Sequence, residues 1–150
     1  MVTGGASAFD PTLAYAVKQT ELWTPSTGPN GSWSTLAPSP TARMYHSTAL
    51  LLPDGRVLSA GGEYKISPGN YGHNLNADFY SPPYLFKSDN NPIGDADRPA
   101  ITGNIPLSIV YGEGLSFTRS TGSGTAISSV ALIRPGAVTH SNNMDQRYGH

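Results

Sequence analysis

Four histidines, eight tyrosines and no cysteine set the chemistry open to this 150-residue chain. Tyr45 and His46 are adjacent and stand directly before the apolar run Ser47-Thr48-Ala49-Leu50-Leu51-Leu52. His140 lies far downstream, after the run Val130 to Ile133 and a Pro135-Gly136 turn, with Asp145-Gln146-Arg147 soon after it. Imidazole nitrogen with phenolate oxygen is a donor set suited to a tetragonal Cu(II) centre, and a chain without cysteine brings no thiolate to a metal. Adjacent residues of a regular strand point to opposite faces. Tyr45 and His46 therefore reach one ion only where the backbone is irregular. On spacing alone, a core aromatic beside a hydrogen-bonded surface imidazole is the plainer reading. His73 and His150 read as solvated side chains, and Arg43 and Arg147 as a structural brace on Asp145. No Gly-rich phosphate loop opens a helix, and no Ser-His-acid order stands out.

The elements that must position these groups read as strands. Charged residues are only 13% of the chain, hydrophobic ones 37%, and 17 Gly with 13 Pro punctuate it throughout. That is turn-rich but below the level of a low-complexity segment, and the aromatic content supplies what a packed β structure buries. The net charge is −1, with no basic field for nucleic acid or an anionic membrane and no apolar stretch of membrane-spanning length. Met1-Val2-Thr3-Gly4-Gly5 is not a signal peptide.

An internal repeat organises the first half. Val2-Thr3-Gly4-Gly5 recurs as Leu58-Ser59-Ala60-Gly61-Gly62, and Glu21-Leu22-Trp23-Thr24-Pro25 as Asp78-Phe79-Tyr80-Ser81-Pro82, both 57 positions on. Ser47 to Leu52, the Pro53-Asp54-Gly55 turn and Arg56 to Ala60 form a hairpin whose second strand is expected to stop at Gly61-Gly62. A loop from Glu63 to Asn76 should follow, then a strand at Ala77 to Tyr80. The period, the paired glycines and the later Trp suggest kelch-type propeller blades. Such sheets need neighbours to cover their faces. Lys87 to Asp97 is polar and reads as a linker. Beyond it, Leu107 to Tyr111, Gly114 to Thr118 and Ser128 to Ile133 read as strands of a sandwich. Residues 98–150 are about half of the roughly 100 that an immunoglobulin-like sandwich needs, so a truncated second domain is expected.

Three blocks carry a family resemblance. The run Arg43-Met44-Tyr45-His46-Ser47-Thr48-Ala49-Leu50-Leu51-Leu52-Pro53-Asp54-Gly55-Arg56-Val57 is similar to the corresponding stretch of the galactose oxidase and glyoxal oxidase family of copper-radical enzymes. Phe79-Tyr80-Ser81-Pro82-Pro83-Tyr84-Leu85 resembles the strand that leaves that family's propeller. Leu132-Ile133-Arg134, Thr139-His140 and Asp145-Gln146-Arg147 resemble a hairpin of its C-terminal domain. The resemblance implies an all-β fold: C-terminal kelch propeller blades over 1–86, a linker over 87–97, and the start of an immunoglobulin-like early-set domain over 98–150. It implies copper, with Tyr45 as axial phenolate and proton acceptor, and His46 and His140 as equatorial ligands. It places the loop Ala6 to Lys18 near the mouth of the site. The implied reaction oxidises a primary alcohol, an aldehyde or a carbohydrate with O2 to give H2O2, in an extracellular protein.

The family's remaining ligand is a tyrosine crosslinked to a cysteine and oxidised to a radical. A chain with no cysteine does not encode that cofactor, so this chain alone is expected to be inactive. A non-catalytic kelch module binding carbohydrate or protein, and a truncated reading frame, remain alternatives.

Overall fold

The computed structural model describes residues 1–25, 30–123, 126–140 and 142–149. Its strands are β1 (Thr20–Thr24), β2 (Ser32–Leu36), β3 (Tyr45–Leu51), β4 (Val57–Ser67), β5 (Asn70–His73), β6 (Ala77–Tyr80), β7 (Ala100–Ile101), β8 (Arg119–Ser120), β9 (Leu132–Arg134), β10 (Ala137–Thr139), β11 (Asn142–Met144) and β12 (Arg147–Gly149). Among the described residues three single turns of 3-10 helix complete an all-β fold. Among the described residues no helix is long and apolar enough to cross a membrane. The chain divides into two compact units, Met1–Pro82 with Ile133–Arg147, and Pro83–Leu132 with Tyr148–His150. His150 lies outside the described residues.

The expected hairpin forms the centre of the first unit. Gly55, at φ 88°, closes the turn by donating its N–H to the carbonyl of Leu52, and the Asp54 carboxylate accepts from the backbone N–H of Arg56. β3 and β4 then pair antiparallel from Leu51↔Val57 to Tyr45↔Glu63. β4 does not stop at the glycine pair. It runs on to Ser67 and turns back as β5, so much of the stretch from Glu63 to Asn76 is sheet rather than loop. Gly61 and Gly62 adopt φ 68° and 109° inside the strand. Glycine takes such angles without a Cβ penalty, so the pair bends the strand where another residue would end it. β6 covers the other edge of the first half of β4, from Val57↔Tyr80 to Ala60↔Ala77.

The repeat seen in the sequence is also a repeat of hydrogen bonds. Val2 pairs with Glu21 as Ser59 pairs with Asp78. The Gly5 carbonyl accepts from the Val17 N–H at 3.0 Å, as the Gly62 carbonyl accepts from the Asn74 N–H at 2.8 Å. Gly4 and Gly5, at φ 77° and 94°, match Gly61 and Gly62. Each feature is displaced by the same 57 residues.

Arg43 is the buried tie of this unit, 1% exposed. Its guanidinium donates to the carbonyls of Gly61 and Asn76, to the Asn76 side-chain oxygen at 3.1 Å, and to the Asp78 carboxylate at 2.7 Å. The expected brace on Asp145 is therefore wrong in its partners. Asp145 lies 3.9 Å from Arg134, and Arg147 donates to the Gln146 carbonyl. Arg43 is drawn instead to a carboxylate and carbonyls of its own sheet, where hydrogen bonds from both terminal nitrogens offset much of the cost of burying the charge, while Nε stays without a partner.

The second unit is sparser. β7 pairs with β8 over two residues, and Thr102 extends the contact by donating its N–H to the Thr118 carbonyl. Leu107 to Tyr111 and Gly114 to Thr118, expected as strands, are not, and of Ser128 to Ile133 only the end joins β9. Leu107 and Tyr111 are fully exposed. An apolar run becomes a strand only against a partner and a covered face. The polar stretch from Lys87 to Asp97 is folded on itself, with Phe86 bridged to Pro92 and the Lys87 ammonium 2.6 Å from the Asp97 carboxylate. That ion pair holds Lys87 above the ordinary lysine range, and the hydrogen bond from Lys87 holds Asp97 below the ordinary aspartate range.

Candidate metal centre

Tyr45, His46 and His140 meet in the first unit. The ring centres of Tyr45 and His46 are 3.8 Å apart, those of Tyr45 and His140 6.2 Å, and those of His46 and His140 6.1 Å. All three line one cavity of about 520 Å³, together with Thr3, Gly4 and Gly5 of the first repeat and Arg43.

The local backbone explains how adjacent residues share one side. His46 has φ 59°, in the left-handed region, and the strand register passes from Tyr45↔Glu63 to Ser47↔Gly61 with no pair at His46. This is the irregularity that a Tyr-His metal pair requires. It is sustained from below by both glycine pairs. The Gly5 N–H donates to the Arg43 carbonyl at 2.8 Å, and a Cβ on Gly4 would stand 2.7 Å from that oxygen. A Cβ on Gly62 would stand 3.2 Å from both Arg43 Cα and Met44 N. The two repeats thus grip residues 43–44, and the Tyr-His pair emerges from that grip. Non-glycine residues held at positive φ tend to collect at functional sites, where the surrounding structure sustains the strain.

His140 arrives from another hairpin. β10 and β11 pair from Ala137↔Met144 to Thr139↔Asn142, which leaves His140 at the first of two connecting positions, φ 49°, the conformation a tight hairpin demands. β10 packs against β3. The placement of His140 beside Tyr45 is a packing result, not a feature of local spacing.

Each imidazole has Nδ1 directed to a group of the chain. Nδ1 of His140 is 2.7 Å from the Thr139 hydroxyl, and Nδ1 of His46 is 3.5 Å from the Glu63 carboxylate. Nε2 of each ring has no partner of this kind among the described residues. Half-exposed Tyr45 is not a core aromatic. Among the described residues no group of three His, Cys, Asp or Glu has metal-binding placement. The constellation depends on the phenol, a hard oxygen donor that suits copper with two nitrogens.

The loop Ala6 to Lys18 follows directly on the lining segment Met1 to Gly5, returns to it where the Val17 N–H donates to the Gly5 carbonyl, and is tied to β4 by Asp10, 3.3 Å from Lys65. Glu63, read as the start of a loop, faces both His46 and His73, the latter at 3.7 Å.

Comparison with known proteins places the chain in a family. The family described as Glyoxal oxidase N-terminus matches residues 2–84, and Galactose oxidase-like, Early set domain matches residues 98–150. The chain belongs to the galactose oxidase and glyoxal oxidase family. It is 40% identical over 110 residues to a galactose oxidase of Gibberella zeae, covering 73% of this chain and 15% of that protein. It is 42% identical over 83 residues to the aldehyde oxidase GLOX of Vitis pseudoreticulata, covering 53% of this chain and 14% of that protein. A fungal alcohol oxidase of the AA5 family, solved in complex with copper, superposes with a TM-score of 0.74 at 30% identity, over 98% of this chain and 29% of its own. The chain thus spans well under a third of the length of each of these family members.

Proposed function

We propose that this chain supplies Tyr45, His46 and His140 as ligands of a copper ion in an oxidase that converts a primary alcohol or simple aldehyde with O2, releasing H2O2. The observation that carries the reading is the convergence of three rings, two of them on left-handed backbone, at one cavity. Copper, when bound, supplies one of the two electron acceptors such an oxidation needs. In this reading Nε2 of His46 and Nε2 of His140 hold the ion. The phenolate oxygen of Tyr45 is the third donor from this chain and takes up the proton of the hydroxyl of the alcohol or of the hydrated aldehyde. The cavity receives a small alcohol, aldehyde or carbohydrate.

The second acceptor, a tyrosine crosslinked to cysteine in this family, is not encoded here, since the chain has no cysteine. The 150-residue chain alone is accordingly proposed to be inactive. The two repeats are read as neighbouring blades of a kelch-type propeller over 1–86. Residues 98–150 are read as the opening of an immunoglobulin-like domain after a linker over 87–97, in an extracellular protein.

Titration of the protein with Cu(II) tests the ligand set. Tyr45→Phe, His46→Ala and His140→Ala should each weaken binding at least about tenfold, and in a form carrying the tyrosine–cysteine pair each should abolish H2O2 release from alcohols. Copper affinity unchanged in all three would refute the proposal.

A further inference from the structure

Glu63 is placed by three strands at once. Its backbone pairs with Tyr45 of β3 on one side and with His73 of β5 on the other. Directly opposed cross-strand residues share a face, so the Glu63 side chain stands on the Tyr45 side of the sheet. There its carboxylate, 21% exposed, lies 3.5 Å from Nδ1 of His46 and 3.7 Å from Nδ1 of His73. His73 is exposed and does not line the cavity, whereas His46 does. The same strained φ that brings His46 to the Tyr45 side brings it to Glu63.

A neutral imidazole carries its proton on either nitrogen, and the choice is set by the partner of each. At 3.5 Å the Glu63 carboxylate faces Nδ1 of His46 without a formed hydrogen bond; a carboxylate only accepts, so closing that contact places the proton on Nδ1 and leaves Nε2 its lone pair. Loss of a group that holds a ligating imidazole in this way typically costs about 10–100-fold in metal affinity or activity. Nδ1 of His140 faces the Thr139 hydroxyl, which donates or accepts and so does not by itself select a tautomer. The two candidate ligands are thus held by different chemistry, one by a charge and one by a neutral hydroxyl.

We propose that Glu63 is a positioning residue of the metal centre: it fixes His46 as the Nδ1–H tautomer, pre-orienting Nε2 as the ligand nitrogen. The inference rests on the copper reading given above, but its first test needs no metal. Nitrogen-15 spectra of the metal-free protein should show His46 protonated at Nδ1, and Glu63→Ala should move the proton towards Nε2. Glu63→Gln, which retains an acceptor oxygen, should keep the wild-type tautomer. With Cu(II) added, Glu63→Ala should bind about 10–100-fold more weakly and alter the copper hyperfine pattern in electron paramagnetic resonance. Glu63→Gln should stay within about threefold of wild type. A His46 proton on Nε2 in the wild-type protein would overturn the inference, whether or not Glu63→Ala folds. So would wild-type copper affinity and spectrum in a folded Glu63→Ala protein. Absence of copper binding by the wild type, with His46 protonated at Nδ1, would defeat the copper reading and leave the tautomer assignment standing.

Discussion

Ser47 to Leu52 and Leu107 to Tyr111 are both short aliphatic runs, yet only the first becomes a strand. The first is followed at once by a turn that folds β4 back on it, and β6 then covers the other edge of β4. Arg43 pins the whole by reaching from the foot of β3 to β4, Asn76 and Asp78. Leu107 to Tyr111 has no such return segment paired to it among the described residues, and its end residues are fully exposed. Strand propensity alone therefore does not make sheet. A near partner and a buried polar tie do, and the candidate metal site stands on the region that has both.

Substitutions can break this contrast or sharpen it. Arg43→Ala strips the tie, leaving the Asp78 carboxylate and two carbonyls without their donor, and should cost about 3 kcal/mol or more in chemical denaturation. Leu107→Ser should cost less than about 0.5 kcal/mol, as ordinary surface changes do. Equal effects would mean that the two regions are held alike. Next in size is Gly62→Ala. Gly62 and Gly69 both have positive φ, but a Cβ meets nothing within 4 Å at Gly69, while at Gly62 it presses on Arg43 and Met44. Gly69→Ala should cost about 1 kcal/mol and Gly62→Ala about 2–3 kcal/mol. Only Gly62→Ala should also weaken copper binding. Smallest is a pH effect confined to the paired sheet. Burial raises Tyr80 above the ordinary tyrosine range, against a smaller opposing effect of a backbone hydrogen bond with Ala37. A group with a raised folded-state value contributes fully below its unfolded value and loses that contribution as pH climbs through the folded one. Thermal stability should therefore decline in alkali beyond the tyrosine range, and Tyr80→Phe should flatten that decline.

Much of the sheet and part of the site were legible in the sequence. The hairpin, β6 and the repeat follow from local signals: Pro53-Asp54-Gly55, an apolar run, and words recurring at one offset. On spacing alone Tyr45 and His46 read as a core aromatic beside a surface imidazole, and it is the family resemblance that names them, with His140, as candidate ligands. What local patterns could not show depends on backbone sign and distant pairing. Paired glycines end strands as readily as they bend them, so the continuation of β4, and with it the placement of Glu63 between His46 and His73, was hidden. The partner of Arg43 lies 35 residues away, and no spacing rule selects Asp78 over Asp145. The sandwich strands read from 107–118 failed because their periodicity says nothing about whether a partner is present.

The central claim is that Tyr45, His46 and His140 surround one copper ion. Copper-edge X-ray absorption of the Cu(II)-loaded protein measures it most directly. Two imidazole nitrogens and an oxygen donor should appear around the metal, with one imidazole lost in His46→Ala and one in His140→Ala. A spectrum without imidazole scattering, or one unchanged by both substitutions, would contradict it.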